Sequence, residues 1–435
     1  MKWFIGILLL LLAALIIESG LLAFAMYVLL ALLIVSRFLA RSWIENLTAS
    51  RQCDRETAEI GDTMTVSVRV RNDGTVPVTW VLLEDVLPAK ALIETRSRLR
   101  VKKKRFKIAF LGSHGETALD YQIEFKMRGY YQVGPLVLET GDIFGLHRRY
   151  RVGSLPHFVL VYPKVVPLEG YELASRRPIG EVLLTHRLYE DPTRIAGVRG
   201  YEAGDPLNRV HWRATARTGS LQSKIYEAST IAGATLVLDF HQAGYDSPRE
   251  PHRSELAVTA TLSLAHALYQ MGQQLGLVTN GRDAADRIRL EGWTHDFRTR
   301  QAAQQSAAMR EESDRLQPVV VDTRRGVEQF QRIRETLARV ELTDGLTLAQ
   351  LLEEASSRLP RDATVVAVLG AASPETAMSL GALRRRGFAV TAMLVVFDDD
   401  ALQEAWIRLL AERIEVRLLR NEAELPGLCQ RQLLR

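Results

Sequence analysis

Residues 3 to 35 are almost wholly apolar, with Glu18 and Ser19 the main polar interruption. In lipid there is no water to satisfy backbone N–H and C=O groups, so such a stretch must close its own hydrogen bonds as helix. Trp3 to Ile17 and Leu21 to Val35 are each somewhat shorter than the ~20 residues expected of one spanning helix. Glu18-Ser19-Gly20 between them makes a tight turn, and the pattern predicts a transmembrane helical hairpin within residues 1–40. One long span with a loose start and a signal peptide are the alternatives. Ala23-Phe24-Ala25 resembles a cleavage box, but a further apolar run follows it, against processing. Lys2 precedes the first run, Arg37, Arg41 and Arg51 follow the second, and the turn carries only Glu18. The positive-inside bias then places both ends, and the soluble body, on the cytoplasmic side.

A chain of 435 residues exceeds one small domain. Its net charge of +5 permits contact with anionic lipid or nucleic acid and demands neither; a lipid bilayer is an expected partner and nucleic acid is not. Cys53 and Cys429 are the two cysteines, too few and too far apart for a disulfide framework or a cysteine zinc site.

From Thr57 the hydrophobic period changes to two, as in half-buried strands. Met64 to Val70 alternates apolar and polar residues, Asn72-Asp73-Gly74 supplies a turn, and Val76 to Leu83 is the next strand. Phe106 to Leu111, Ala118 to Lys126 and Tyr131 to Glu139 continue the series. Short strands with turns every ten or so residues predict an immunoglobulin-like β-sandwich over 50–160. Between Arg96 and Lys107 the even positions 96 to 104 are all basic, which on a strand would put these charges on one face. That reads as a solvated edge strand or as a polybasic face held against anionic lipid. It carries no interleaved aromatic platform for single-stranded nucleic acid.

After a linker and polar segment (161–230), buried strands alternate with helices over 231–435. The strands are Ala234 to Phe240, Gln274 to Asn280, Thr364 to Gly370, Phe388 to Phe397 and Ile414 to Leu418. The helices are Ser254 to Met271, Val327 to Val340, Thr347 to Leu359, Pro374 to Arg386 and Asp400 to Arg413. Continuous apolar runs between amphipathic helices predict a mainly parallel sheet covered on both faces. Residues 281 to 325 fit this rhythm less well and read as an insertion around Val319 to Asp322. The fold class is thus α+β and multidomain.

The polar segment, RGYEAGDPLNRVHWRATARTGSLQSKIYE from Arg199 to Glu227, is too dense in hydrogen-bonding groups for a core. Such residues lock a loop against a sheet or offer a recognition surface. Its series Arg199, Tyr201, Gly204, Asp205, Arg209, Trp212, Ala216, Arg217 resembles the signature of the bacterial "domain of unknown function 58" family, with Thr215 among these residues. A second resemblance is RGYYQVGPLVLETGDIFGL, Arg128 to Leu146, like the R-G-x-Y-x-x-G-P and D-P-F-G-L of that family. Ile143 replaces its proline, and Gly129, Gly134, Pro135 and Gly145 read as turn-formers, with Phe144 and Leu146 plugging the sandwich. In the signature, Asp205 is expected to clamp Arg199, Arg209 or Arg217 by charge-assisted hydrogen bonds, with Trp212 packed beneath. A hydrolase reading uses Asp205 and His211, with Thr215 completing a triad. There is no G-x-S-x-G elbow, phosphate loop or H-E-x-x-H helix.

The order of the C-terminal half resembles a von Willebrand factor A-like domain, in which the first strand ends in D-x-S-x-S and ligates a divalent ion. Here that strand ends Asp239-Phe240-His241-Gln242-Ala243: Asp239 matches, while His241 and Ala243 replace the hydroxyl residues. The later strand runs Val368-Leu369-Gly370-Ala371-Ala372, without the expected carboxylate. The expectation is a degenerate metal site with no metal or other cofactor; a divalent-metal-dependent ligand-binding protein is the alternative. The family resemblance implies a non-enzymatic adaptor or scaffold at the bacterial inner membrane. Its implied partners are a cytoplasmic MoxR-type AAA+ ATPase and a transglutaminase-like membrane protein, in envelope assembly or stress response.

Overall fold

The computed structural model describes residues 6, 9–13, 16–17, 19–87, 92, 97–142, 145, 147–169, 189–202, 210–229, 233–245, 250–284, 316–360, 363–396 and 398–429. The chain divides into two compact units, Met1–Pro163 with Asp283–Glu312 and Lys164–Arg282 with Ser313–Arg435.

The first unit opens with helix α1 (Gly20–Glu45), the one helix among the described residues that is long and apolar enough to cross a membrane. Of the expected first span, Gly6, Leu9 to Ala13 and Ile16 are helical and most of the rest lies outside the described residues. The second span was expected to stop at Val35, but α1 runs ten residues further. Its outer half exposes Leu21, Phe24 and Val28, whereas Ala40, Trp43 and Ile44 are buried. Trp43 and Ile44 pack into the core of the β-rich module, so the helix continues because its last turns have a protein face to cover.

That module holds β1 (Leu47–Cys53), β2 (Thr57–Glu59), β3 (Thr63–Asn72), β4 (Val78–Asp85), β5 (Leu99–Lys102) and β6 (Phe106–Leu111). It continues with β7 (Glu116–Phe125), β8 (Gly129–Val133), β9 (Leu136–Gly141), β10 (Arg148–Ser154) and β11 (His157–Tyr162). Two antiparallel sheets, ordered β1-β3-β7-β5 and β10-β9-β4-β6, share one hydrophobic core; β2-β11-β8 forms a third sheet. Alternation is clean on β3, where Met64, Val66, Val68 and Val70 turn inward between half-buried and exposed polar residues.

Two expectations are corrected here. Tyr131 to Glu139 is not one strand: β8 and β9 lie in different sheets, divided at Gly134, with φ +93°, and a cis Gly134–Pro135 bond. A proline has no N–H for a ladder, and a positive φ favours glycine. The basic run is not one long strand either. It divides into the short edge strand β5 and a turn through Lys103, φ +71°, that leads into the other sheet. Arg96 lies outside the described residues; Arg100, Lys102, Lys103 and Lys104 are exposed.

Arg51, expected to act as a topology-setting charge beside the membrane, is instead inside the module. Its guanidinium pairs with both carboxylate oxygens of Asp85, and the two side chains are 3% and 0% exposed. Tyr121 donates its hydroxyl to Asp85 Oδ2 at 2.6 Å, while Arg51 Nη1 donates to the carbonyls of Val133 (3.1 Å) and Leu155 (2.6 Å). A side chain at Gly134 would collide with that guanidinium. Burial, then the neighbouring Asp85 carboxylate, raises the Tyr121 phenol well above its ordinary value, and burial pushes the nearby Cys53 thiol up to about 11.

The helix is joined to this module by named bonds. Ser36 Oγ donates to Asp142 Oδ2 at 2.6 Å, and Asp142 Oδ1 accepts from the His147 N–H at 2.7 Å. Arg151 Nη1 donates to the carbonyls of Ile44 (3.2 Å) and Glu45 (2.9 Å), which the helix end would otherwise leave bare, and to that of Leu47 at the start of β1 (3.1 Å). Ile143, Phe144 and Leu146 lie outside the described residues.

The second unit contains a hairpin of β12 (Tyr189–Gly200) and β13 (Gln222–Ser229), then a six-stranded sheet. The sheet strands are β14 (Gly233–Leu238), β15 (Gln274–Thr279), β16 (Val319–Arg324), β17 (Thr364–Leu369), β18 (Val390–Leu394) and β19 (Glu415–Leu418). Their order is β16-β15-β14-β17-β18-β19, parallel throughout except for the antiparallel edge strand β16. Val319 to Asp322, read as an insertion, therefore belongs to the sheet; residues 285–315 lie outside the described residues. Gly233–Leu238 is buried at every position because both faces are covered. Between the strands lie helices of residues 252–270, 327–339, 348–355, 374–385 and 399–411. Their starts are set by sequence: Thr347 and Gln350 form a reciprocal cap, and Ser373 caps the helix that begins at Pro374.

Removing Asp85 strands the Arg51 charge in the core. Asp85→Ala should lose about 3–5 kcal/mol of stability, read by denaturant unfolding of the full chain in detergent. Adding Arg51→Met should restore part of it. An Asp85→Ala protein as stable as wild type would show the pair to be dispensable.

Candidate functional site

The signature residues decorate the turn of the β12–β13 hairpin. Arg199 pairs with Ser223 and Gly200 with Gln222, and Tyr201 N–H donates to the Leu221 carbonyl at 2.9 Å. Val210 bridges to Ser223, and His211 N–H donates to the Gln222 carbonyl at 2.8 Å. A short helix, α2 (Trp212–Thr218), follows. His211 caps it, its Nδ1 accepting from Ala214 N–H at 3.0 Å, and Gly219 ends it at φ +71°. Thr215 Oγ1 accepts from Gln222 N–H at 3.0 Å and ties the helix to the strand. His211 Nδ1 and the Thr215 hydroxyl are therefore both engaged in folding the turn.

Trp212 was expected beneath an Asp–Arg cluster. It is 69% exposed, and none of the α2 residues is buried. Among the described residues, a helix of about two turns on a two-stranded hairpin offers no second layer to bury an indole. Arg213, Ala216 and Arg217 are exposed beside it. Arg199 lies 3.7 Å from Glu202 and donates to the Gly200 carbonyl. Gly204, Asp205 and Arg209 lie outside the described residues. The structure thus gathers Arg199, Tyr201, Trp212, Thr215, Ala216 and Arg217 on one turn.

Asp239 is placed elsewhere, just beyond β14. The strand order reverses between β14 and β17, and in open α/β sheets ligands bind outside the carboxyl ends of the strands at such a point. Here that place is filled by the protein. Asn280 Nδ2 donates to Asp239 Oδ1 at 2.9 Å and to the Leu346 carbonyl at 2.9 Å, while its Oδ1 accepts from Phe240 N–H at 2.6 Å. His241 N–H reaches Asp239 Oδ1 at 3.2 Å, and Tyr245 donates its hydroxyl to the Asp239 carbonyl at 2.8 Å. The His241 ring caps the next turn, accepting from Ala243 N–H at 3.3 Å. Over the end of β17, a Cβ on Gly370 would lie 2.6 Å from the Gly244 carbonyl and 2.9 Å from the Tyr245 ring. Among the described residues no three His, Cys, Asp or Glu side chains converge as metal ligands. Asn280 and Tyr245 were not singled out in the sequence; the usable signal was an amide ending a buried apolar run.

Residues 197–405 match the family model described as "Protein of unknown function DUF58". The chain belongs to that family over this segment. It is 25% identical over 262 residues to "Uncharacterized protein YeaD" of Bacillus subtilis (strain 168), covering 60% of this chain and 62% of that protein. Among solved structures, the CARDB domain of the PF1109 protein from Pyrococcus furiosus is 13% identical, with TM-score 0.20, over 26% of this chain and 91% of that one. Proximal thread matrix protein 1 from the mussel byssus is 10% identical, with TM-score 0.30, over 46% of each chain. These structural likenesses are too slight to carry an argument.

Burial raises the Asp239 carboxyl above its ordinary value, against the lowering effect of the Asn280 and His241 hydrogen bonds. A carboxyl raised in the folded state contributes stability below its unfolded pKa, and that contribution is lost as pH rises through the folded value. Asp239→Asn should therefore melt close to wild type below about pH 4, the unfolded carboxylate range, and gain on it as pH rises. A melting difference that stays constant with pH would refute this assignment.

Proposed function

We propose that this protein is a membrane-anchored, non-enzymatic adaptor that docks a cytoplasmic AAA+ ATPase of the MoxR type, beside a transglutaminase-like membrane protein, in envelope assembly or stress response. The observation that carries this reading is the exposed Trp212, Arg213 and Arg217 on α2, a helix held in place by the caps and ties of His211 and Thr215. Exposed tryptophan and arginine on a rigid support are the residue types that dominate binding energy at protein interfaces. Neither His211 nor Thr215 needs a catalytic role to account for its place. In this reading the β-rich module is an immunoglobulin-like spacer and the six-stranded domain is von Willebrand factor A-like. The sheet order and the position of Asp239 support the latter, with Asn280 donating to the carboxylate where a metal ion would otherwise neutralise it.

Affinity purification from gently solubilised membranes tests the docking. A MoxR-type ATPase should co-purify with wild type, and Trp212→Ala should weaken the complex by about 2 kcal/mol, roughly thirtyfold, without changing the melt. Undiminished capture by Trp212→Ala, or no ATPase in the wild-type sample, would overturn the reading.

This reading puts the soluble body in the cytoplasm, supported by the charges of Lys2, Arg37 and Arg41, since Arg51 is withdrawn into the module. A reporter fused after Arg435 should be active in its cytoplasmic form; periplasmic activity would reverse the orientation.

A further inference from the structure

The outward face of β6 carries Phe106, Ile108 and Phe110, exposed 49%, 67% and 66%. They alternate with Lys107 and Ala109, so they stand on one side of the strand. Ala109 and Leu111 turn to the core on the other side. Leu82 of β4, half-buried, is registered with Ile108 and widens the stripe. β6 is also the edge of its sheet. Apolar edges of this kind are normally shortened, charged or covered, because an open edge invites association.

Two features identify the cover. Just before β6, the turn from β5 exposes Lys103 and Lys104, after the exposed Arg100 and Lys102 of β5 itself. Basic residues beside a stripe of aromatic and aliphatic groups match the two layers of an anionic membrane surface, headgroup charge above acyl chain. The second feature is position. Ala109 and Thr140 are both registered with Val81, and Leu111 with Val78. Phe110 therefore lies at the end of the sheet where Asp142 is bonded to Ser36 of α1. From there the stripe runs along the strand to Phe106 and the lysine turn.

We infer that the outer face of β6, with the Lys103–Lys104 turn, is a lipid-contact surface that seats the β-rich module on the anionic leaflet into which α1 is anchored. The inference rests on the reading of α1 as a membrane span. The tether puts one end of the stripe beside the bilayer, so contact along the remainder needs little further loss of freedom. Aromatic side chains then enter the headgroup boundary, and the lysines meet lipid phosphate.

The test uses the full chain, one copy per nanodisc, with Cys53 and Cys429 replaced and a single spin label at Ile108→Cys or, on α1, at Leu29→Cys. In discs containing phosphatidylglycerol, the label at 108 should lose collisions with a water-soluble nickel chelate and gain them with oxygen; in pure phosphatidylcholine the protection should be weaker. Each basic residue at an anionic surface contributes about 1 kcal/mol, or about fivefold. Lys103→Glu with Lys104→Glu should therefore shift the seated-to-free ratio more than about tenfold toward free. If the label at 29 is lipid-buried while the label at 108 stays open to nickel in both lipids, the lipid-contact surface is refuted and the span stands. If the label at 29 is itself open to nickel, the span reading falls and the seating with it. Protection at 108 that arises only when two copies share a disc, with spin–spin broadening, would assign the stripe to a second copy and overturn the inference.

Discussion

The Arg51–Asp85 pair is the point on which the first unit turns. A charge cannot be withdrawn from water without a partner, and here one carboxylate and two main-chain carbonyls accept from one guanidinium, while a tyrosine hydroxyl donates to that carboxylate. Those contacts come from β1, β4, β7, the end of β8 and the segment after β10, so both four-stranded sheets meet at the pair. The glycine at 134 follows from it, since the guanidinium occupies the space a side chain would take. Burial of this kind makes module assembly close to all-or-none. A partly formed sheet would leave the ion without its counter-charge.

Internal pairing also governs the end of β14, where an asparagine amide and a backbone N–H donate to the buried Asp239 carboxylate and the Tyr245 hydroxyl donates to its main-chain carbonyl. The site keeps the carboxylate but turns its hydrogen-bonding inward.

Legibility in the sequence followed the range of the forces involved. Strands such as Phe106–Leu111 and the alternation of β3 were readable because period and burial are local properties. The helix from Pro374 was readable from its serine cap and proline start. Arg51 was misread because its partner lies 34 residues away and an arginine after an apolar run looks like a flanking charge. The single strand expected over Tyr131–Glu139 failed at a glycine whose role is set by that same distant guanidinium. Trp212 was misplaced for the opposite reason: a large aromatic residue suggests burial, but among the described residues the hairpin turn supplies no layer over it. Asn280 carried no local mark of its part in holding Asp239, which depends on strands β14 and β15 lying side by side.

The unbroken course of α1 has a mechanical consequence. Its lower turns are clamped at Ser36 by Asp142 and at its final carbonyls by Arg151, with no flexible joint between the apolar half and the module. Such a helix works as a lever arm. In the membrane-anchored reading proposed above, any change in the inclination of α1 would carry the β-rich body through the same angle, because the two are joined without a break.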